Sequence, residues 1–197
     1  MTAAFSGATP LALNQEGTDE LRPWISDDGL TLLYDVGDAQ DTGSSTDRTL
    51  RRATRSTRQD DFVLVDDFGA GEAPFVVGGP NGTLYYAAAV VNGAILQVSL
   101  SAWVPTGDPV TVMSSPSERP VVTRDGLTLY FAMGPNYTEI YGAQRTDGLS
   151  PFDGAMIVSE LVDGYAPSWI SADGCRLYYD KNMGGEDLDI VMAQRTP

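Results

Sequence analysis

The stretch Arg22-Pro-Trp-Ile-Ser-Asp-Asp-Gly-Leu-Thr-Leu-Leu-Tyr34 decides the fold, because similar stretches occur three more times in the chain. Each copy has a proline, a short apolar run, an Asp-Gly or Asn-Gly pair and a second apolar run that ends in large side chains. The turn glycines are 53, 44 and 48 residues apart, which is the spacing of propeller blades: Gly29, Gly82, Gly126 and Gly174. The repeat therefore predicts an all-β chain of four blades.

The runs within each copy predict the strands of a blade, which we call a to d. Each Asp-Gly or Asn-Gly pair between strands a and b predicts a two-residue hairpin in which both turn residues have positive φ. A third alternating run has the two-residue period of a half-buried strand and lies at 48–54, 94–100, 139–145 and 189–195. A fourth run follows only the first three, at 62–65, 110–113 and 156–159.

The N-terminal segment is a candidate for the strand that the last copy lacks. Ala4–Asn14 resembles Pro151–Glu160, which holds the fourth run of the third copy. We therefore expect a four-bladed β-propeller of four-stranded antiparallel blades, closed by the N-terminal strand pairing in the last blade. A single domain over 1–197 would contain blades at 21–65, 72–113, 118–159 and 165–197 plus 10–14. The alternative is a piece of a larger ring, or assembly with another copy.

Composition limits the classes of partner. The chain has 27 acidic residues, 12 basic residues and no histidine, and its formal net charge is -15. Such a surface repels nucleic acid and anionic membranes, so we expect no nucleic acid, no membrane insertion and a monomer. No run approaches the roughly 18 apolar residues that a membrane span needs. Cys175 is the single cysteine, which excludes an internal disulfide.

Two of the repeated segments carry a resemblance to a known family. Trp24-Ile-Ser-Asp-Asp-Gly29 and Trp169-Ile-Ser-Ala-Asp-Gly174, each followed by Leu-x-Tyr, resemble the WD-repeat-like blades of TolB-type β-propellers. The resemblance recurs four times and covers almost the whole chain. It implies a bacterial protein of the periplasm, the cell surface or the secreted fraction that binds other proteins. Some related propellers are enzyme scaffolds.

Charge is expected to concentrate on one face of the propeller, because antiparallel order brings the b–c and d–a connections to the same side. Sixteen of the 27 acidic residues belong to these connections, and we call this side the acidic face: Glu16, Asp19, Glu20, Asp35, Asp38, Asp41, Asp47, Asp66, Asp67, Glu72, Glu118, Glu160, Asp163, Asp180, Glu186 and Asp187. We expect ligand binding at this face and in an axial depression, by Arg22, Trp24, Glu72, Glu118, Arg119 and Trp169.

The first b–c loop is a candidate cation site. Asp35, Asp38 and Asp41 place a carboxylate at every third position around a glycine, and carboxylate oxygens suit Ca²⁺. The spacing is not that of an EF-hand loop. We expect no cofactor, apart from Ca²⁺ or another ion in the loops or the central channel.

The sequence offers little for catalysis. Without histidine the commonest general base is missing, and the single cysteine has no candidate partner. We therefore predict a non-enzymatic binding propeller that recognises a protein, a glycan or another envelope ligand. Two alternatives stay open: a carboxylate-based glycosidase or lyase, and a carbohydrate-binding lectin. The aromatic pairs that end strand b are interpreted as packing between blades: Tyr85/Tyr86, Tyr130/Phe131 and Tyr178/Tyr179.

Overall fold

The computed structural model describes residues 10–38, 48–89, 93–114, 116–133, 139–161, 164–182 and 188–195. The first blade contains β1 (Thr18–Ile25), β2 (Thr31–Asp38), β3 (Thr49–Thr54) and β4 (Val63–Ala70). The second contains β5 (Glu72–Val77), β6 (Thr83–Ala87), β7 (Ile95–Ser101) and β8 (Val104–Met113). The third contains β9 (Glu118–Val122), β10 (Thr128–Met133), β11 (Glu139–Gln144) and β12 (Asp153–Ile157). The fourth contains β13 (Gly164–Ile170), β14 (Arg176–Asn182) and β15 (Leu188–Gln194).

The four sheets are antiparallel meanders arranged as a four-bladed propeller. Each blade places its strands in chain order, and the first three blades have four strands. The fourth sheet has three strands within the described ranges. The all-β propeller predicted from the repeat is thus confirmed. Among the described residues, no helix is long and apolar enough to span a membrane.

The hairpins between strands a and b exist where they were predicted, but the predicted turn type is wrong. Within each Asp-Gly pair, the glycine has positive φ and the aspartate does not: φ is 74° for Gly29, 75° for Gly126 and 67° for Gly174. The amide of Gly29 donates to the carbonyl of Ser26 at 2.8 Å. Gly29 is therefore the last residue of a four-residue turn that begins at Ser26, and the connection is longer than the predicted two-residue hairpin. In the second blade, Gly82 has φ −94° and follows a short 3-10 helix, Gly79–Asn81.

Apolar side chains that pack between neighbouring blades hold the propeller together. In the first blade, Leu33 and Leu50 pack with Val76, Leu84 and Tyr86 of the second. A second cluster continues through the next three blades and contains Tyr85, Phe131 and Tyr179, among others. These three rings are buried between blades, with exposed fractions of 2, 0 and 7 %, and Tyr86 is buried in the first cluster. Tyr130 and Tyr178 are only half-buried, and Tyr178 packs edge-on against Trp169 of its own blade.

Residues 10–14 do not form the predicted closing strand. The amide of Asn14 donates to the carbonyl of Leu11 at 3.1 Å, so this segment is a turn. Leu13 packs against the first blade, on a cluster that includes Tyr34 and Phe62. A turn is favoured because Pro10 has no amide hydrogen for a sheet ladder. The rest of the proposed closing segment, residues 4–9, lies outside the described residues.

Packing between inner strands links the blades in sequence. Within the described residues β1 packs on β5, β5 on β9 and β9 on β13, whereas no comparable packing joins β13 to β1. Within the described residues, the first and last blades thus lack the inner-strand packing that joins the other consecutive blades, although Trp24 of the first blade packs on the cluster that includes Ile170 of the last.

Candidate functional site

A pocket opens at the hairpin end of the inner strands. Its volume is about 460 Å³, and all four blades contribute to its wall. Trp24, Phe75, Val122 and Trp169 come from the inner strands, and Trp103 comes from the hairpin that follows β7. We call this cavity the tryptophan pocket, because it gathers all three tryptophans of the chain.

Trp103 reaches the pocket through an unusual turn. Ala102 and Trp103 both have positive φ, 49° and 70°, and form the two-residue hairpin between β7 and β8. Their amides donate to the Asn81 side-chain oxygen at 2.9 Å and to the Pro80 carbonyl at 2.8 Å. The ring centroid of Trp103 then lies 5.9 Å from that of Trp24. These bonds explain how a bulky residue is held in a conformation that L-residues rarely adopt.

Trp103 is not among the ligand-binding residues predicted from the sequence, because it lies in the connection between strands c and d, outside the repeated motif. Its ring is half-buried and packs between the first and second blades. The one available signal was that this tryptophan has no counterpart in the other repeats. The packing that is common to all the repeats does not require such a residue, so its side chain can instead contact a ligand.

Carboxylates at the rim of the pocket are fixed by the hairpins. The side chain of Asp28 accepts from the Ser26 hydroxyl at 2.6 Å and from the Leu30 amide at 2.9 Å. These hydrogen bonds, first from Ser26 and then from Leu30, hold the pKa of Asp28 below its ordinary value. Asp28 is therefore ionised at neutral pH, and Arg124 adds a cation to the same pocket wall. Through these two bonds, the Asp28 carboxylate stabilises the hairpin turn.

The opposite end of the inner strands holds a buried ionic cluster. An Arg22 nitrogen donates to Glu72 at 2.5 Å and to Asp35 at 3.3 Å. Asp35 also accepts from Arg48 at 2.6 Å and from the Ala73 amide at 3.0 Å. Both carboxylates are almost fully buried, with exposed fractions of 0 % for Asp35 and 1 % for Glu72. We call these residues, with Glu118 beside them, the carboxylate cluster.

Burial changes the protonation of this cluster. Desolvation raises the pKa of Glu72 from 4.5 to about 7, and repulsion by Glu118 and Asp35 adds to the rise, although Arg22 opposes it. The arginine bridges the first blade, which carries Asp35, to the second blade, which carries Glu72. Asp35 and Glu72 each accept from protein donors, and through Arg22 they join two blades.

The predicted ligand-binding residues separate into two groups. Trp24 and Trp169 lie in the tryptophan pocket, whereas Arg22, Glu72 and Glu118 lie in the carboxylate cluster. Arg119 occupies the position of Arg22 in the third blade, and it pairs with Asp180 of the fourth blade at 2.7 Å. Arg22 and Trp24 are only two residues apart in β1, on either side of its irregular register, so the sequence does not show that they belong to different sites.

The predicted cation site is not brought together by the described residues. Asp35 and Asp38 lie in β2 rather than in a loop, and residues three apart in a strand point to opposite faces. Asp41 lies outside the described residues. No group of three potential metal ligands occurs within the described ranges.

Comparison with solved structures shows what this fold resembles. TolB from Acinetobacter baumannii aligns with a TM-score of 0.57 and 18 % identity, over 89 % of this chain and 41 % of that one. A putative TolB from Agrobacterium tumefaciens aligns with a TM-score of 0.54 and 19 % identity, over 89 % and 58 %. The chain therefore has the TolB-type β-propeller fold. It spans 41 and 58 % of the lengths of these two structures.

Enzymes share this fold as well. A GH43 β-1,3-galactosidase aligns with a TM-score of 0.63 at 9 % identity, over 90 % of this chain and 72 % of that one. Identities this low show the fold and not the function. No family model and no curated protein sequence matches the chain.

Proposed function

We propose that this chain is a non-enzymatic binding propeller whose tryptophan pocket takes a segment of a partner protein. The observation that carries the proposal is the convergence of Trp24, Trp103 and Trp169 on one cavity of about 460 Å³. A cavity of this size fits a few side chains, and aromatic rings give large contact area at little entropic cost. Periplasmic, surface-bound or secreted location belongs to the same proposal, by likeness to TolB.

Acidic residues at the rim of the pocket favour a partner segment that carries a basic side chain. Asp27 and Asp28 line the hairpin side of the pocket, where a carboxylate attracts a basic side chain of the partner. The net charge of -15 extends this attraction beyond the contact itself. The expected ligand is therefore an extended segment with an aromatic or apolar residue next to lysine or arginine, bound more weakly at high salt.

Selection from a displayed random-peptide library tests the proposal. Peptides retained by the wild type are titrated against Trp103→Ala with intrinsic tryptophan fluorescence, and we expect at least about tenfold weaker binding because an anchor ring is lost. Leu149→Ala is the matched control, since Leu149 is 87 % exposed and does not line the pocket. Peptides that bind both variants equally, or a pocket that retains only sugars on a glycan array, would contradict the proposal. The second result would favour a lectin.

A carboxylate-based glycosidase is the second candidate. The raised pKa of Glu72 favours it, since a general acid must hold its proton near neutral pH, and a galactosidase shares the fold. Against it stands the burial of Glu72 under Arg22. Release of nitrophenol from nitrophenyl galactosides and arabinosides, abolished in Glu72→Gln, would establish this candidate instead.

A further inference from the structure

Three of the hairpins around the tryptophan pocket are built on one frame. The hairpins of the first, third and fourth blades have the sequence Ser/Thr-x-Asp-Gly, at 26–29, 123–126 and 171–174. In each, the hydroxyl of the first residue donates to the aspartate, at 2.6, 2.6 and 2.5 Å. The amide two residues after the aspartate donates to the same carboxylate, at 2.9, 3.0 and 3.0 Å. The glycine amide donates to the carbonyl of the first residue at 2.8 Å in all three, so the backbone of residue x is placed alike.

Residue x is the variable part of this frame. It is Asp27 in the first blade, Arg124 in the third and Ala172 in the fourth, and all three residues line the pocket. The second blade contributes an uncharged segment, residues 78–80. The hydrogen bonds of the frame do not involve the side chain of x, so the turn does not require a charge there. A charge at x can therefore serve a ligand.

The charges divide the pocket wall into two sides. The charged residues of the wall are Asp27 and Asp28 from the first blade and Arg124 from the third. Strand β5 packs on both β1 and β9, so the second blade lies between these two hairpins. Within the described residues no ion pair joins Arg124 to either aspartate. Apolar side chains that include Phe75 and Val122 complete the wall, so the pocket has an acidic side, a basic side and an apolar surface.

Arg124 has no protein partner in the part of the chain that the structure describes. It is exposed, and its side chain makes neither a hydrogen bond nor an ion pair there. By contrast, Arg55 and Arg145 donate to the carbonyls of the hairpin glycines Gly29 and Gly126, both at 2.7 Å. These two arginines stabilise hairpins, whereas the N–H donors of Arg124 are available to a carboxylate from outside the chain.

We propose that the tryptophan pocket binds a bipolar segment, in which a carboxylate pairs with Arg124 and a basic side chain pairs with Asp27 and Asp28. The residues between these two charges contact the tryptophans. An acidic side chain and the free C terminus of the partner both supply the carboxylate chemistry. This inference rests on the function proposed for the pocket, and it adds the direction in which the segment binds.

Selection from a random-peptide library with free C termini tests the inference, with the wild type, Arg124→Gln and Arg176→Gln as baits. Arg176→Gln is the matched control, because Arg176 is exposed, does not line the pocket and changes the net charge equally when replaced. We expect all three baits to retain peptides with aromatic and basic residues. Peptides retained by Arg124→Gln should show no enrichment of acidic residues. Since Arg124 makes no described contact, its replacement should leave the thermal unfolding curve unchanged.

Titration of a peptide retained by the wild type measures the pair and identifies the source of the carboxylate. One analogue has glutamine in place of the acidic residue, and a second has an amidated C terminus. The wild type should bind the analogue that lacks the pairing carboxylate at least about threefold more weakly than the parent peptide. Arg124→Gln should bind this analogue and the parent alike, because the partner of the carboxylate is absent. Arg176→Gln should behave as the wild type does.

The outcomes separate this inference from the function on which it rests. Retained peptides that carry aromatic and basic residues but lose no affinity in either analogue would overturn the inference and leave the proposed function standing. Equal losses in the wild type and Arg124→Gln would do the same, since the carboxylate would then bind elsewhere. A wild type that retains no peptide, or only peptides without aromatic or apolar residues, would overturn both.

Discussion

The two ends of the inner strands have similar backbones but carry different side chains: one end lines an open pocket and the other holds a buried ion pair. At the hairpin end, Trp24 and Trp169 leave an open pocket, whereas at the other end Arg22 and Glu72 close the space between blades with a buried ion pair. The Asp35 and Glu72 carboxylates are buried and already bonded to protein donors, whereas Arg22 Nε is buried without a hydrogen-bond partner among the described residues. Aromatic rings around a cavity keep their contact surface available. The difference shows that dense charge on a face does not by itself mark the binding site.

The largest expected effect comes from removing the buried arginine. Arg22→Met leaves Glu72 without its partner and deprives Asp35 of one of its two arginines, so we expect a loss of about 3 kcal/mol in the free energy of unfolding. Urea unfolding measures it. The matched control is Arg119→Met, because the Arg119–Asp180 pair is exposed by 36 and 23 % and is expected to contribute under about 1 kcal/mol. Equal losses would remove the contrast between the two pairs.

The pH dependence of stability that Glu72 causes is a second test of the contrast between the buried and the exposed ion pair. Its folded-state pKa of about 7 lies above the ordinary 4.5, so the folded state binds this proton more tightly than the unfolded state. The stability that results is fully present below about pH 4.5 and is lost as the pH rises through 7. Relative to Glu72→Gln, the wild type should lose about 3 kcal/mol of unfolding free energy between about pH 4.5 and about pH 8.

Urea unfolding of both proteins across this pH range checks the expectation. The difference between wild type and variant isolates Glu72 from the other carboxylates, which change alike in both proteins. A difference that does not vary with pH would show that Glu72 is ionised throughout, and the carboxylate cluster would then be an ordinary salt bridge.

The smallest effect is expected at the rim of the tryptophan pocket. Asp28→Ala removes the acceptor for the Ser26 hydroxyl and the Leu30 amide, and we expect a loss of about 1 kcal/mol in thermal or urea unfolding. Asp27→Ala, at the neighbouring exposed position, should change stability by less than about 0.5 kcal/mol. A larger loss for Asp27→Ala would mean that the turn is held by other contacts.

The repeat predicted most of the fold but only part of the site. Alternating apolar residues and turn glycines recur in each copy, so blade number, strand order and the burial of at least one ring in each aromatic pair were predictable from local pattern. Turn type was not, because Ser26 and Asp28 supply side-chain hydrogen bonds that favour a longer hairpin than the Asp-Gly pair alone indicates. Residues 10–14 were misassigned because similarity to Pro151–Glu160 does not by itself fix the register of the strand.

The candidate site depended on contacts between distant parts of the chain. Trp103 is 79 residues from Trp24 in sequence, and the hydrogen bonds to Pro80 and Asn81 that bring its ring to Trp24 are made only in the folded protein. The partners of Glu72 are likewise set by packing of the first blade on the second. No pattern within one repeat carries this information.

The sequence by itself determined the four blades, the hairpins and the acidic character of the surface, since each follows from neighbouring residues or from composition. The tertiary structure alone decided which charges are buried and where the three tryptophans meet. The physical reason is that side-chain alternation fixes which face of a strand is apolar. Burial and pocket shape depend instead on which sheet packs against that face, and that partner lies tens of residues away.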